Sequence, residues 1–91
     1  MNAAVLKINQ MSHYFDDSVA HLSDDELFAS GYLRGHVDLA VGQLQLSEQP
    51  FSAEDILAAV ESILASAIAQ GELNPADELL VRTIWQRVQA L

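Results

Sequence analysis

Histidine is the side chain with the most obvious capacity for chemistry near neutral pH, and His36 is the histidine placed among apolar neighbours. Tyr32 lies one helical turn before it. A histidine that acts as a general base needs a positioned substrate and an orienting group, and the sequence identifies neither. A neutral core histidine instead needs hydrogen-bond partners for its ring nitrogens. We therefore interpret His36 and Tyr32 as a buried polar site, with an enzyme or small-molecule site as the alternative.

A second group of chemically capable residues follows helical spacing in the first part of the chain. His13, Asp17 and His21 are separated by four residues each, so one helix would place them on one side, as some metal ligands are placed. Such a site would be exposed, and no second helix obviously supplies a fourth ligand. We expect ordinary surface pairs here and no bound metal.

Other motifs of catalysis or cofactor binding are missing from the sequence. The chain has no cysteine, no glycine-rich phosphate loop and no nucleophile elbow. The carboxylates around Asp24 and Asp25 lack the alternating spacing and the glycine of a calcium-binding loop. We expect no cofactor and no enzyme activity, and we interpret this acidic corner as helix capping, with a basic partner as the functional alternative.

A helix predicted over residues 24–46 would position Tyr32, His36 and the acidic residues Asp24 and Asp25. Ser23 and Glu26 have the spacing of a capping box, and the acidic residues of the first turn oppose the positive end of the helix dipole. At about 100° per residue, the apolar side chains cover more than half of the circumference. A surface helix needs a narrower stripe, so this segment is predicted to be the central helix of a bundle. The predicted apolar arc consists of Phe28, Ala29, Tyr32, Leu33, Val37, Leu39, Ala40, Val41, Leu44 and Leu46.

The remaining face of this helix carries three glycines, Gly31, Gly35 and Gly42, together with Asp38 and Arg34. Each glycine inside a helix costs about 1 kcal/mol relative to alanine, unless close approach of another backbone compensates. The favoured interpretation is a neighbouring helix of the same chain packed on the glycines. The alternative is a surface for a partner or ligand. Arg34 and Asp38, four residues apart, are expected to form an ion pair.

The segment SDDELFASGYLRGH, residues 23–36, resembles the signature of the YfcL-like family of small bacterial proteins. The arrangement of helices around it fits the length of that family. The resemblance implies a bacterial cytoplasmic setting and supplies no catalytic residues.

Three further helices are predicted around residues 24–46. They cover residues 3–21, 53–70 and 75–90, with caps at Ser52 and at Asn74 before Pro75, and Gly71 as a terminator. Trp85 is expected to close one end of the bundle rather than to anchor an interface. The fold class is all-α: a four-helix bundle with antiparallel neighbours, formed by residues 1–91 as one domain.

The composition limits the classes of partner. The formal net charge is −9, which disfavours direct binding to nucleic acid or to anionic membranes, because both depend on clustered Lys and Arg. No apolar run is long enough to span a bilayer, and no signal peptide is visible, so a cytoplasmic protein is expected.

The functional hypothesis is an interaction or regulatory module. It would bind an unknown protein partner, or itself, through the glycine face or through the acidic corner at Asp24 and Asp25. Besides the enzyme alternative at His36, a third possibility is an acidic mimic of nucleic acid, which would require carboxylates along one surface.

Overall fold

The protein is all-α in a computed structural model that describes residues 2–91. Helix α1 spans Ala3–Ser18 and is followed by a short 3-10 turn at Val19–His21. Helices α2, α3 and α4 span Asp24–Leu46, Ala53–Ala69 and Pro75–Gln89. No strand occurs within these residues. The predicted four-helix bundle is confirmed, with helix ends within a few residues of those expected.

Local capping interactions explain where α2 and α3 begin. The Ser23 hydroxyl accepts from the backbone N–H of Glu26 at 3.2 Å, and the Glu26 carboxylate accepts from the Ser23 N–H at 3.0 Å. These hydrogen bonds to Ser23 lower the pKa of Glu26, because they favour its charged form. Ser52 and Asp55 form the same reciprocal pair at 3.1 and 2.9 Å. The two helix starts are therefore fixed by residues close in sequence.

The connection between α3 and α4 is equally local. Gly71 has a φ of +79°, a left-handed conformation in which a side chain would be strained. The Asn74 side chain then accepts from the backbone N–H of Asp77 at 2.8 Å, and Pro75 occupies the first helical position. Gly71 thus ends α3, and Asn74 begins α4 a few residues later.

Helix α2 is the central element, as predicted. It packs extensively against α3 and α4 and more sparsely against α1, which also packs against α3. Its buried side is formed by small and branched side chains, and the largest buried side chains of the other helices close around them. The buried residues of α2 are Ala29, Ser30, Leu33, Val37, Ala40 and Val41.

A glutamate connects α3 to α4 close to the core. Glu61 accepts from Nη1 of Arg82 at 2.9 Å and from the indole N–H of Trp85 at 2.9 Å. Trp85 is only 1% exposed, so its ring packs inside the bundle while its one polar atom is satisfied. Because Trp85 is buried, it is not exposed as an interface anchor, whereas its predicted place at one end of the bundle stays a prediction.

Lys7 on α1 binds the end of α4. Its side chain is 7% exposed, and Nζ donates to the main-chain oxygens of Val88, Gln89 and Leu91 at 3.3, 3.3 and 3.1 Å. The last carbonyl groups of a helix have no partner within the helix, and they attract a positive charge. Lys7 therefore caps α4 from another helix and holds α1 against it.

Replacing Lys7 by methionine is expected to lower the free energy of unfolding by about 1.5 to 3 kcal/mol, the usual range for hydrogen bonds to a charged group. Methionine keeps most of the apolar stem but donates nothing. Urea denaturation measures the change, with Arg87→Met as the comparison, because Arg87 is an exposed cation in the last turn of α4 and its loss changes the net charge equally. An equal effect of both substitutions would contradict the capping role.

Candidate interaction surface

The glycines of α2 face open space. A Cβ atom built at Gly31, Gly35 or Gly42 would meet no atom of another residue within 4 Å, apart from its chain neighbours and the backbone of its own helix. The favoured interpretation, in which a helix of the same chain packs on these glycines, is therefore wrong for residues 2–91. No helix of these residues therefore fills the space directly in front of the three glycines.

Apolar side chains beside the glycines are also exposed. Phe28 is 52% exposed, Leu39 51% and Leu46 83%. Helical spacing places all three next to the glycines, because Phe28 is three residues before Gly31, and Leu39 and Leu46 are each four residues after a glycine. Phe28, Leu39 and Leu46 were expected within the buried arc of α2, and this expectation is wrong, since the arc that other helices cover is narrower. We call Phe28, Gly31, Gly35, Leu39, Gly42 and Leu46 the outer face of α2.

A groove between α1 and α2 adjoins the outer face at Gly42. It encloses about 260 Å³ and is lined partly by core side chains, namely Met11, Phe15, Val37 and Val41. The groove exists because α1 and α2 make few contacts with each other, whereas α2 packs closely on α3 and α4. Apolar core atoms are thus reached from outside along the same side of α2 that carries Gly42.

Arg34 lies at this groove but not in the predicted ion pair. Its Nη1 donates to Asp16 at 2.7 Å, its Nη2 lies 3.4 Å from the Ser12 hydroxyl, and its guanidinium lies 5.6 Å from the centre of the Phe15 ring. The prediction of an Arg34–Asp38 ion pair is therefore wrong. Arg34 instead contacts α1, which provides a carboxylate, a hydroxyl and an aromatic ring at one place. Asp38 also lines the groove and is exposed, with no ion-pair partner within residues 2–91.

His36 and Tyr32 are half-buried on α2, and Tyr32 packs against the core. The His36 side chain is half-buried, its ring centroid lies 4.3 Å from that of Tyr32, and its Nδ1 is 2.8 Å from the Tyr32 carbonyl oxygen. The interpretation of His36 as a buried histidine is wrong in degree, because the side chain is only half-buried. One of its ring nitrogens is hydrogen-bonded to a backbone oxygen of its own helix. Neither side chain lines the groove between α1 and α2. No carboxylate is hydrogen-bonded to His36 to orient it as a base within the described residues.

The Tyr32 hydroxyl is hydrogen-bonded to a residue that follows α3 in the sequence. It donates to Glu72 at 2.8 Å. Burial, this hydrogen bond and the nearby negative charge together raise the pKa of Tyr32 to about 12. Because the pKa in the folded protein exceeds its ordinary value of 10.0, the interaction stabilises the fold below pH 10.0 and is lost as the pH rises through about 12.

Glu72→Gln is expected to lower the pKa of Tyr32 while leaving it above 10.0, because burial, the largest cause, persists. The chain has two tyrosines, so Tyr14→Phe leaves Tyr32 as the only phenol. Ultraviolet absorbance of the phenolate, followed across an alkaline titration with and without Glu72→Gln, measures the shift. An unchanged pKa in protein that circular dichroism shows to be folded would contradict the contact.

The histidines of the first helical segment do not assemble a metal centre. His13 Nε2 lies 3.0 Å from Asp17 Oδ2, and both side chains are largely exposed. His21 lines the same shallow depression, which Tyr14 and Leu91 also border. Across residues 2–91, no group of three potential ligands among His, Asp and Glu is arranged to hold a metal ion. His13 and Asp17 form an ordinary surface pair four residues apart.

The carboxylates of the acidic corner stabilise the start of α2. Asp24 and Asp25 occupy the first turn of α2, where they oppose the positive end of its dipole. Seven of the thirteen carboxylates lie in the first turns of α2, α3 and α4: Asp24, Asp25, Glu26, Glu54, Asp55, Asp77 and Glu78. This distribution over three helix starts gives no support to an acidic mimic of nucleic acid, which needs a continuous row.

Comparisons with known proteins identify the group to which this architecture belongs. A family model described as YfcL protein matches residues 7–90. The chain belongs to the YfcL family. It is also similar to a protein of Escherichia coli (strain K12) named uncharacterized protein YfcL, with 48% identity over 73 residues, which cover 80% of this chain and 78% of that protein. No solved structure matches the chain.

The YfcL match extends over nearly all of the described fold. It begins at Lys7, the residue that caps α4, and includes the whole of α2, α3 and α4. The outer face of α2 and the groove beside it therefore lie within the YfcL domain. None of the helices in residues 2–91 combines the length and apolar character that crossing a bilayer requires.

Proposed function

We propose that this YfcL protein is an interaction module that binds a protein partner through the outer face of α2 and the adjoining groove, within the bacterial cytoplasm. The supporting observation is the open space at Gly31, Gly35 and Gly42, which no other part of residues 2–91 fills. Three glycines inside one helix cost about 2 to 3 kcal/mol of helix stability. Close approach by a partner backbone would give these glycines a use that the isolated chain does not.

The apolar character of the surface supports the same proposal. Phe28, Leu39 and Leu46 are exposed beside the glycines, and Gly42 also borders the groove that is lined by core side chains. Exposed apolar side chains that share one helix face, as helical spacing places these three, mark interaction sites more often than scattered exposed residues do. The interpretation as an enzyme at His36 and Tyr32 has less support, because Tyr32 is engaged by Glu72 and His36 by a backbone oxygen.

Affinity capture from a bacterial lysate tests the proposal, with tagged wild-type protein compared to Gly35→Leu. A Cβ atom at position 35 meets no neighbouring atom within 4 Å, so we expect leucine to extend into the open space in front of the helix. Ala65→Leu is the matched control, because Ala65 is an exposed small residue on α3. Circular dichroism verifies that both variants are folded.

The expected result is a protein recovered with the wild type and with Ala65→Leu but lost with Gly35→Leu. A partner retained by all three proteins would contradict binding at the outer face. In that case the acidic corner is examined with Asp24→Asn and Asp25→Asn.

A further inference from the structure

The outer face and the groove together form a strip whose shape is suited to a helix. From Gly31 to Gly42 the strip extends about 16 Å along α2, since a helix rises about 1.5 Å per residue. The glycines would permit a short distance between helix axes, and the groove would receive larger side chains. A helix that binds in this way presents apolar residues three, four and seven positions apart.

The charges around the strip indicate which charge a bound helix would carry. Arg34 is neutralised by Asp16, which leaves the carboxylate of Asp38 exposed at the groove. Asp24 and Glu48, which flank α2 at its two ends, are also exposed. The charges around the strip are therefore predominantly negative, in a chain whose formal net charge is −9. A partner with Lys or Arg beside its apolar face would complement this potential.

The same charges argue against a second copy of this chain as the occupant. Two copies would each bring a net charge of −9, and a symmetric contact between outer faces would bring the Asp38 carboxylates of both copies to the same interface. Such repulsion between like charges opposes association. The charges around the strip therefore favour a positively charged partner over a second copy of this chain.

Resting on the proposed function, we infer that the occupant of this strip is a basic amphipathic helix of another protein. Its apolar face contacts Leu39 and the groove beside Gly42. Its Lys or Arg residues lie near Asp38. The apolar contact and the positive charge each strengthen binding. A helix that carries both therefore binds more tightly than a helix that carries one of them.

Fluorescence anisotropy with synthetic peptides tests this inference on the full chain. The probe is a labelled leucine–lysine peptide with one apolar face and a length of about four helical turns. A scrambled peptide of identical composition lacks the single face, and a leucine–glutamate peptide has the face with the opposite charge. The protein variants are Gly42→Leu and Asp38→Lys, with Ala65→Leu and Asp17→Lys as controls on exposed positions of α3 and α1.

We expect the leucine–lysine peptide to bind at least about tenfold more tightly than either control peptide, and Gly42→Leu to weaken it by about tenfold. Asp38→Lys should weaken it more than Asp17→Lys, and Ala65→Leu should leave it unchanged. Equal binding of the scrambled peptide, or equal effects of the two lysine substitutions, would overturn the inference, because binding would then follow net charge alone.

The outcomes separate this inference from the proposed function. Preferential binding of the leucine–glutamate peptide, sensitive to Gly42→Leu, would overturn the basic partner while retaining the strip as a binding surface. A dimer detected by analytical ultracentrifugation and abolished by Gly42→Leu would replace the basic helix with a second copy. Absence of all peptide binding would overturn the basic helix, whereas the proposed function would still be decided by affinity capture.

Discussion

Replacing Trp85 by alanine is expected to lower the free energy of unfolding by about 3 to 5 kcal/mol, the usual cost of removing a large buried aromatic ring. Trp85 is the largest of the fully buried side chains, and its indole N–H donates to Glu61. A domain of this size has about 5 to 15 kcal/mol of stability in total. The variant should therefore be partly unfolded or close to it under conditions in which the wild type is fully folded.

Urea denaturation followed by circular dichroism measures this loss. Trp85→Phe separates its two components, because phenylalanine keeps much of the ring but cannot donate to Glu61, and we expect it to be clearly less destabilising. Leu79→Ala is the control, since Leu79 is 68% exposed on the same helix and should change stability by no more than about 0.5 kcal/mol. Similar losses for Trp85→Ala and Leu79→Ala would contradict the described core.

Simultaneous replacement of Gly31, Gly35 and Gly42 by alanine is expected to raise the free energy of unfolding by about 2 to 3 kcal/mol. Each alanine removes a penalty of about 1 kcal/mol, and its methyl group enters open space. Stabilisation of the isolated chain combined with weaker partner binding would be consistent with glycines retained for contact with another molecule.

Gly71→Ala is the control for that experiment. Its φ of +79° strains any residue with a Cβ atom, so this substitution should destabilise the protein by about 1 kcal/mol although no atom lies near. The two kinds of glycine are thus expected to respond with opposite signs in the same urea assay. A decrease in stability of the triple variant would show that the outer face of α2 is occupied within the folded chain.

The features predictable from sequence are those determined by short-range interactions. Ser23 with Glu26, Ser52 with Asp55, and Asn74 with Asp77 specify their helix starts through residues three positions apart, which explains why α2, α3 and α4 could be located. The breadth of the apolar stripe likewise identified α2 as the central helix. Neither inference required knowledge of which helices are neighbours.

The features that were mispredicted depend on the way helices pair. Arg34 could reach Asp38 on its own helix or a carboxylate on another, and only the packing of α1 beside α2 places Asp16 closer. Leu39 fitted the apolar arc, but the arc does not reveal how much of it three neighbours cover. The glycine spacing indicated close approach without stating whether the approaching chain is this one.

One missed feature left a detectable signal. Lys7 lies three residues after Ala4 and four before Met11, so it interrupts the apolar face of α1. If the ammonium group at such a position is buried, it requires hydrogen-bond acceptors, and the free carbonyl groups at a helix C-terminus are acceptors that need no carboxylate. The sequence could therefore have predicted that Lys7 caps another helix, but it could not have specified α4.

The central claim, that the outer face of α2 binds a protein, is tested most directly by photocrosslinking in living cells. A photoreactive phenylalanine analogue replaces Leu39 on the outer face, and in a parallel strain it replaces Leu79 on α4, since both side chains are exposed. We expect a discrete covalent adduct with another protein from position 39, absent when Gly35→Leu is added, and no such adduct from position 79. The same adduct from both positions, or one that persists with Gly35→Leu, would contradict the claim.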